Sequence, residues 1–201
     1  MLEKLIGRPP GDTTAERLRA YADWLGSEGI RAGGLGPGED QRVWQRHILD
    51  SAAFTLPWSV PPDRCTDLGS GVGLPGIVLA VLWPETAITM IDRSGRRTGL
   101  IRRAARVLGL GNVEVVQGDI AKTPTDQSAL VMRAVLPPPE AIRLFGRILG
   151  SGGQAVLGLS RTNEPDRQNL EALSAGSGLV GAVQKVKVLD PPAWMLIMSR
   201  S

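Results

Sequence analysis

Asp67-Leu68-Gly69-Ser70-Gly71-Val72-Gly73-Leu74-Pro75-Gly76-Ile77 is the stretch on which the reading of this chain turns. Residues 64–68 before it form a short run of strand type. Residues 76–83 after it are continuously apolar and helical in character, with Pro75 suited to the first turn and Pro84 ending the segment. A strand therefore ends in glycines and opens directly into a helix. At such a junction backbone N–H groups converge, and no side chain holds a ligand away from them. Gly69, Ser70, Gly71, Gly73 and Leu74 become candidate ligand contacts, although the same glycines also suit an ordinary tight turn.

Outward from this loop the pattern repeats. Strand-like segments at 64–68, 87–91, 113–117, 129–133, 154–159, 182–188 and 194–199 alternate with helical ones, among them 96–108, which Gly109 stops. That alternation predicts an α/β fold with a seven-stranded, mostly parallel, doubly wound sheet. Residues 1–56 read differently. Within 14–25, Leu18, Tyr21 and Leu25 share one helical stripe, with Thr13 or Thr14 as the N-cap. The link Gly33-Gly34-Leu35-Gly36-Pro37-Gly38 follows, then a second helix at 41–55 with Pro57 just beyond it. The expectation is one domain over 1–201, with an N-terminal helical cap (1–56) on a Rossmann-like core (57–201).

Composition narrows the class. With 201 residues and 42% hydrophobic content, the chain builds one substantial core. Cys65 is the only cysteine and His47 the only histidine, so an internal disulfide is excluded and an ordinary metal site is not expected. No segment approaches the ~18 apolar residues of a membrane span, so a cytoplasmic protein without membrane association is expected. Net charge is +3, but 19 of the 23 basic residues are arginine. This bias suits phosphate and base recognition, and it equally suits a GC-rich genome.

Two acidic residues make the glycine loop more specific. Asp92 ends the second strand, 19 residues after Gly73, where a carboxylate accepts hydrogen bonds from both ribose hydroxyls of an adenosine group. Asp119 follows the third strand, placed to receive an adenine amine, with Ile120 beside it. Gly71-Val72-Gly73-Leu74-Pro75-Gly76 also satisfies the dinucleotide pattern, so an NAD-dependent oxidoreductase competes. Asp67 before the loop favours a methionine-bearing nucleoside, Pro75 is unusual over a pyrophosphate, and no Tyr/Lys pair suggests hydride transfer.

Arg46-His47-Ile48-Leu49-Asp50-Ser51, the glycine loop with its Gly-Leu-Pro-Gly-Ile extension, Asp92-Arg93-Ser94-Gly95-Arg96-Arg97 and Arg133-Ala134 together resemble the bacterial 16S rRNA guanine-N7 methyltransferase family, also called glucose-inhibited division protein B. The likeness is clear over residues 40–150. It implies a class I S-adenosylmethionine-dependent methyltransferase fold, with S-adenosylmethionine as cofactor and 16S rRNA or the 30S subunit as partner. For this chain it implies cofactor contacts at Asp67, Gly69, Ser70, Gly71, Gly73, Leu74, Asp92, Arg93, Asp119, Ile120 and Arg133. It further implies roles for Arg133 and His47 at the reacting centre and RNA contacts at Arg46, Arg96, Arg97 and Arg103. A monomer is expected.

The chain also departs from that family. Gly34-Leu35-Gly36 stands where Asn-Leu-Thr is usual, Leu157-Gly158 where Lys-Gly is usual, and Ala193-Trp194 where an arginine is common. These losses fall on substrate contacts rather than cofactor contacts, so a methyltransferase-fold protein with another substrate, or one that only binds the cofactor, remains an alternative. Arg93, Arg96, Arg97, Arg102, Arg103 and Arg106 put six cations into 14 residues, a run read either as a solvated helix face or as a phosphate-binding surface. For His47 the plain alternative is a local bond to Asp50, and the five tryptophans are read as packing residues.

Overall fold

The glycine loop hangs from strand β1 (Arg64–Leu68), inside a seven-stranded sheet, in a computed structural model that describes residues 1–36, 38–161 and 163–201. The other strands are β2 (Ala87–Asp92), β3 (Val113–Gln117), β4 (Gln127–Arg133), β5 (Leu149–Gly158), β6 (Val180–Val186) and β7 (Ala193–Ser199). Their order is β3-β2-β1-β4-β5-β7-β6, with β7 antiparallel to both neighbours and the other pairings parallel. The order reverses between β1 and β4, and open α/β sheets bind ligands at the carboxyl ends of strands beside such a switch.

Both faces of the central strands are apolar, as burial under two helical layers requires. On β4, Leu130 and Met132 pack against one layer and Val131 against the other, all fully buried. The first layer contains α1 (Leu2–Ile6), α2 (Asp12–Trp24), α3 (Leu49–Ala52), α4 (Gly76–Leu82) and α5 (Gly95–Val107). All seven α4 residues are buried, since α4 lies between the N-terminal cap and the sheet. The second layer contains α6 (Pro138–Ile148) and α7 (Arg167–Gly176), with Phe145 fully buried between them and the strands. Burying a side chain of that size stabilises the fold by roughly 1.5–3 kcal/mol. Between β3 and β4 the chain makes only the 3-10 turn Ile120–Lys122, and a groove remains there, lined by Thr66, Thr89, Glu114 and Gln127.

Several predicted boundaries move. Helix α2 begins at Asp12 after an extended Gly11, so neither Thr13 nor Thr14 is the N-cap. The second cap helix is broken into a 3-10 turn (Asp40–Arg42), a π-helical turn (Val43–Ile48), α3 and another 3-10 turn (Ala53–Thr55). Strand β6 lies two residues earlier than predicted. Strand β5 starts at Leu149, within a glycine-rich stretch that resembles a turn. Of the glycine-rich link, Pro37 lies outside the described residues.

Candidate active site

The loop after β1 is docked on β2 by its backbone: Gly69 N and Ser70 N both donate to the Ile91 carbonyl, at 2.8 and 3.1 Å. Gly69 has φ +74°, and a Cβ there would come within 2.4 Å of a Val135 methyl group. Only glycine fits. The Ser70 hydroxyl donates to the Asp67 carbonyl at 3.0 Å, closing the turn. Gly71 N then donates to Asp92 Oδ2 at 3.0 Å, while Asp92 Oδ1 accepts from Ser94 N at 2.9 Å. Each carboxylate oxygen keeps a further acceptor site. Asp92 is thus fixed in position and still able to accept from two hydroxyls.

A cleft of about 440 Å³ opens over this loop. Of the candidate residues, Gly69, Ser70, Gly71, Leu74, Asp92, Arg93, Asp119, Ile120 and Arg133 line it, together with Gly34 and Leu35 from the cap and with Val135 and Leu136. Asp119 Oδ1 accepts from Ala121 N at 2.9 Å, which leaves the other oxygen facing solvent beside the apolar Ile120 and Leu136. Arg133 is half-buried at the end of β4, and no carboxylate lies within ion-pair distance of it among the described residues. Burial lowers its pKa, opposed by the nearby Asp50, Tyr21 and Asp67. The next residue, Ala134, is held at φ +55°, a left-handed conformation costing about 1–2 kcal/mol for a non-glycine residue.

Two predicted cofactor residues stand below the cleft rather than in its wall. Asp67 is fully buried and its Oδ2 accepts from Gly76 N at 2.9 Å, so it ties the end of β1 to the start of α4. Burial raises its carboxyl to about 7, in opposition to that hydrogen bond and to Arg133. Gly73 packs against Ile77 and the Tyr21 hydroxyl. His47 is also outside the lining. Its Nε2 meets Glu39 Oε2 at 3.0 Å, and Arg46 lies 3.6 Å from the other Glu39 oxygen. The partner is therefore Glu39 and not Asp50, because the π-helical turn through Val43–Ile48 does not keep the α-helical spacing that would stack residues 47 and 50.

The arginine run divides by partner. Arg97 lies 3.7 Å from Asp92 and Arg103 3.3 Å from Glu28 of the cap, so the run has acidic neighbours in space that it lacks in sequence. Arg102 reaches along the sheet edge to the Val115 carbonyl at 2.9 Å. Arg93, Arg96 and Arg106 are exposed, and none has a carboxylate within ion-pair distance among the described residues. Arg96 packs close to Gly33 of the cap.

Sequence reasoning did not assign three contacts of this region. The Tyr21 hydroxyl donates to the Val72 carbonyl at 3.0 Å, clamping α2 onto the glycine loop. A Cβ on Gly34 would lie 1.9 Å from a Val72 methyl group, so the cap glycine permits its close approach to the loop. Asp50 and Arg161 form an ion pair at 2.9 Å, both largely buried. A tyrosine on a helical stripe and an arginine 111 positions from its partner carry no sequence signal of these contacts.

A family model described as rRNA small subunit methyltransferase G matches residues 14–184. The chain belongs to this family. Among curated relatives, the ribosomal RNA small subunit methyltransferase G of Mycobacterium avium is 34% identical over 200 residues, covering 96% of this chain and 80% of that protein. The Corynebacterium jeikeium protein of the same name is 35% identical over 204 residues, covering 92% and 90%. The Acidothermus cellulolyticus protein is 37% identical over 134 residues, covering 66% and 60%. Solved structures share the fold at lower identity. Magnesium protoporphyrin IX methyltransferase from Synechocystis PCC 6803 with bound SAM has a TM-score of 0.63 at 20% identity, covering 96% of this chain and 99% of that one. A protein from Methanococcus maripaludis described as an S-adenosyl-L-methionine-dependent methyltransferase has a TM-score of 0.60 at 16% identity, covering 96% of each. The fold of this rRNA small subunit methyltransferase G family member is that of a class I S-adenosylmethionine-dependent methyltransferase.

Proposed function

We propose that this chain transfers the methyl group of S-adenosylmethionine to N7 of a guanine in 16S ribosomal RNA. The observation that carries the reading is the cleft itself: the glycine loop, a twice-anchored Asp92, Asp119 beside apolar walls and an Arg133 with no carboxylate partner among the described residues meet at the carboxyl ends of β1 to β4 in a member of an rRNA methyltransferase family. These residues fit the cofactor. Asp92 would hold the ribose hydroxyls, Asp119 and Ile120 the adenine, and Arg133 the methionine carboxylate, with Gly69 and Gly71 giving the backbone room to approach. Asp67 and Gly73 act from beneath by fixing the loop, and His47 by organising the cap.

When bound, the cofactor supplies an electrophilic sulfonium methyl group. Guanine N7 offers an exposed lone pair, so it could accept that methyl group directly as a nucleophile. No proton leaves. The cleft therefore has no need of a general base, and the protein contributes alignment and electrostatic positioning. Among the described residues no His, Cys, Asp and Glu side chains are grouped to hold a metal ion, and no helix is long and apolar enough to cross a membrane. Arg96, with Arg93 at the cleft edge, supports RNA phosphates, and Arg46, Arg97 and Arg103 add cationic surface while bound to their carboxylates. The 30S subunit in the cytoplasm is the partner, met by a monomer.

Transfer of labelled methyl groups to 30S subunits, naked 16S rRNA and small molecules, followed by nucleoside analysis, tests this reading. N7-methylguanosine in 16S rRNA supports it. Binding of NAD without binding of S-adenosylmethionine, or methylation of another atom, sinks it.

A further inference from the structure

Arg133 and Arg161 leave the same edge of the sheet. Strands β4 and β5 are neighbours with Arg133 in register with Gly158, and Arg161 follows β5 by three residues. Asp50, on α3 of the cap, faces this edge with its carboxylate Oδ1 2.9 Å from Arg161 Nη2. The Asp50 and Arg161 side chains are only 16% and 14% exposed. Their pairing is nevertheless incomplete. Asp50 Oδ1, Arg161 Nη2 and Arg161 Nε are buried, and none of the three has a hydrogen-bond partner of acceptable geometry among the described residues. No hydrogen bond to the second Asp50 oxygen is present among the described residues either.

A buried ion pair is favourable when its remaining donors and acceptors are satisfied, and costly when they are not. Burial raises the Asp50 carboxyl to about 6, although Arg161, Arg133 and Arg46 all oppose this. The unfilled set is specific in its chemistry: a carboxylate with two acceptor oxygens beside a guanidinium with spare donors. Of the four bases, only guanine presents two adjacent donors, N1–H and N2–H, next to an acceptor, O6. Bases held outside a helix are commonly read along this Watson–Crick edge. Reading guanine there leaves N7, on the other side of the ring, uncovered for methyl transfer.

We propose that Asp50 and Arg161 form the base-reading wall of the acceptor site, with the Asp50 carboxylate accepting N1–H and N2–H of the target guanine and Arg161 donating to O6. This rests on the guanine-N7 reading above and names the residues that give that reading its base specificity.

Inosine provides the test, since it keeps N1–H, O6 and N7 but lacks the N2 amine. The methylated position is first located by chemical cleavage at N7-methylguanosine in 16S rRNA treated with the wild-type enzyme. 30S subunits are then reconstituted with guanosine or inosine at that position. Loss of one hydrogen bond to a charged group predicts that the wild-type enzyme favours guanosine by about tenfold or more in kcat/KM. In Asp50→Ala the guanosine-to-inosine ratio falls to near one while the dissociation constant for S-adenosylmethionine is unchanged. The double variant Asp50→Ala/Arg161→Leu, which leaves no unpaired buried cation, gives the same ratio. A wild-type ratio near one, or a ratio unaltered in the variants, overturns the assignment. If the wild-type enzyme methylates 30S subunits but yields no N7-methylguanosine, the guanine reading falls first and takes this proposal with it.

Discussion

The Gly76 amide donates to the Asp67 carboxylate at 2.9 Å in a position with no solvent access. The side chain that fixes the glycine loop is thereby also the one whose ionisation the fold opposes. Burial raises its pKa from 3.8 to about 7, so over that interval the folded state holds a proton that the unfolded state has released. Stability contributed by the protonated form is complete below the unfolded value and is lost as pH rises through about 7. Asp67→Asn keeps an acceptor for Gly76 and removes the titration. Its Tm relative to wild type should climb between pH 5 and pH 8 in thermal melts; a constant difference would exclude Asp67 as a titrating site.

Asp92 makes the corresponding link on the cofactor side. Its two oxygens already hold Gly71 N and Ser94 N, so the proposed hydrogen bonds to the ribose would be added to a carboxylate that cannot turn away. Replacing it removes charged hydrogen bonds worth roughly 1.5–3 kcal/mol each. Asp92→Ala should weaken S-adenosylmethionine binding at least about tenfold by calorimetry. Asp119→Ala, at an exposed residue with a single backbone bond, should cost less. The reverse ranking would place the ribose elsewhere.

These two aspartates differ in how far their sequence announced them. Asp92 is legible because its place, one strand after a glycine loop, follows from chain geometry, and the same logic recovers the strands, whose alternation with helices is local. Asp67 is legible as important but not as buried, since sequence position does not say on which side of the loop a carboxylate lies. Contacts between the cap and the core are not legible at all. Tyr21 to Val72 and Asp50 to Arg161 join residues 51 and 111 positions apart; the first depends on how α2 docks on the loop, the second on how the broken helix at 40–55 is oriented. Hydrophobic periodicity shows that such a segment is helical, but not that one turn of it is π-helical and redirects His47.

Arg96 and Arg97 are neighbours with different expected roles. Arg97 lies 3.7 Å from Asp92 at the cleft over the glycine loop, whereas Arg96 packs by Gly33 of the cap and has no carboxylate partner among the described residues. Arg96→Ala should weaken RNA binding and reduce the slope of log affinity against log salt by about one, leaving cofactor affinity alone. Arg97→Ala should weaken both ligands. An Arg96→Ala variant with the wild-type salt slope would remove α5 from the RNA surface.

His47 is the only histidine in the chain, so its ring protons give one unambiguous titration by NMR. Burial lowers its pKa below 6.5, Arg133 lowers it further, and the Glu39 carboxylate 3.0 Å away pulls it back up. The ring is therefore neutral at pH 7, and the stability this gives is present above 6.5 and is lost as pH falls through the lowered value. Glu39→Gln removes the carboxylate opposing that shift, so the titration should move to still lower pH and RNA affinity should lose the organising contact between Glu39, Arg46 and His47. A wild-type midpoint above 6.5, or a Glu39→Gln midpoint higher than wild type, would show that Glu39 does not hold His47 in solution and that the cap is arranged differently over the cleft.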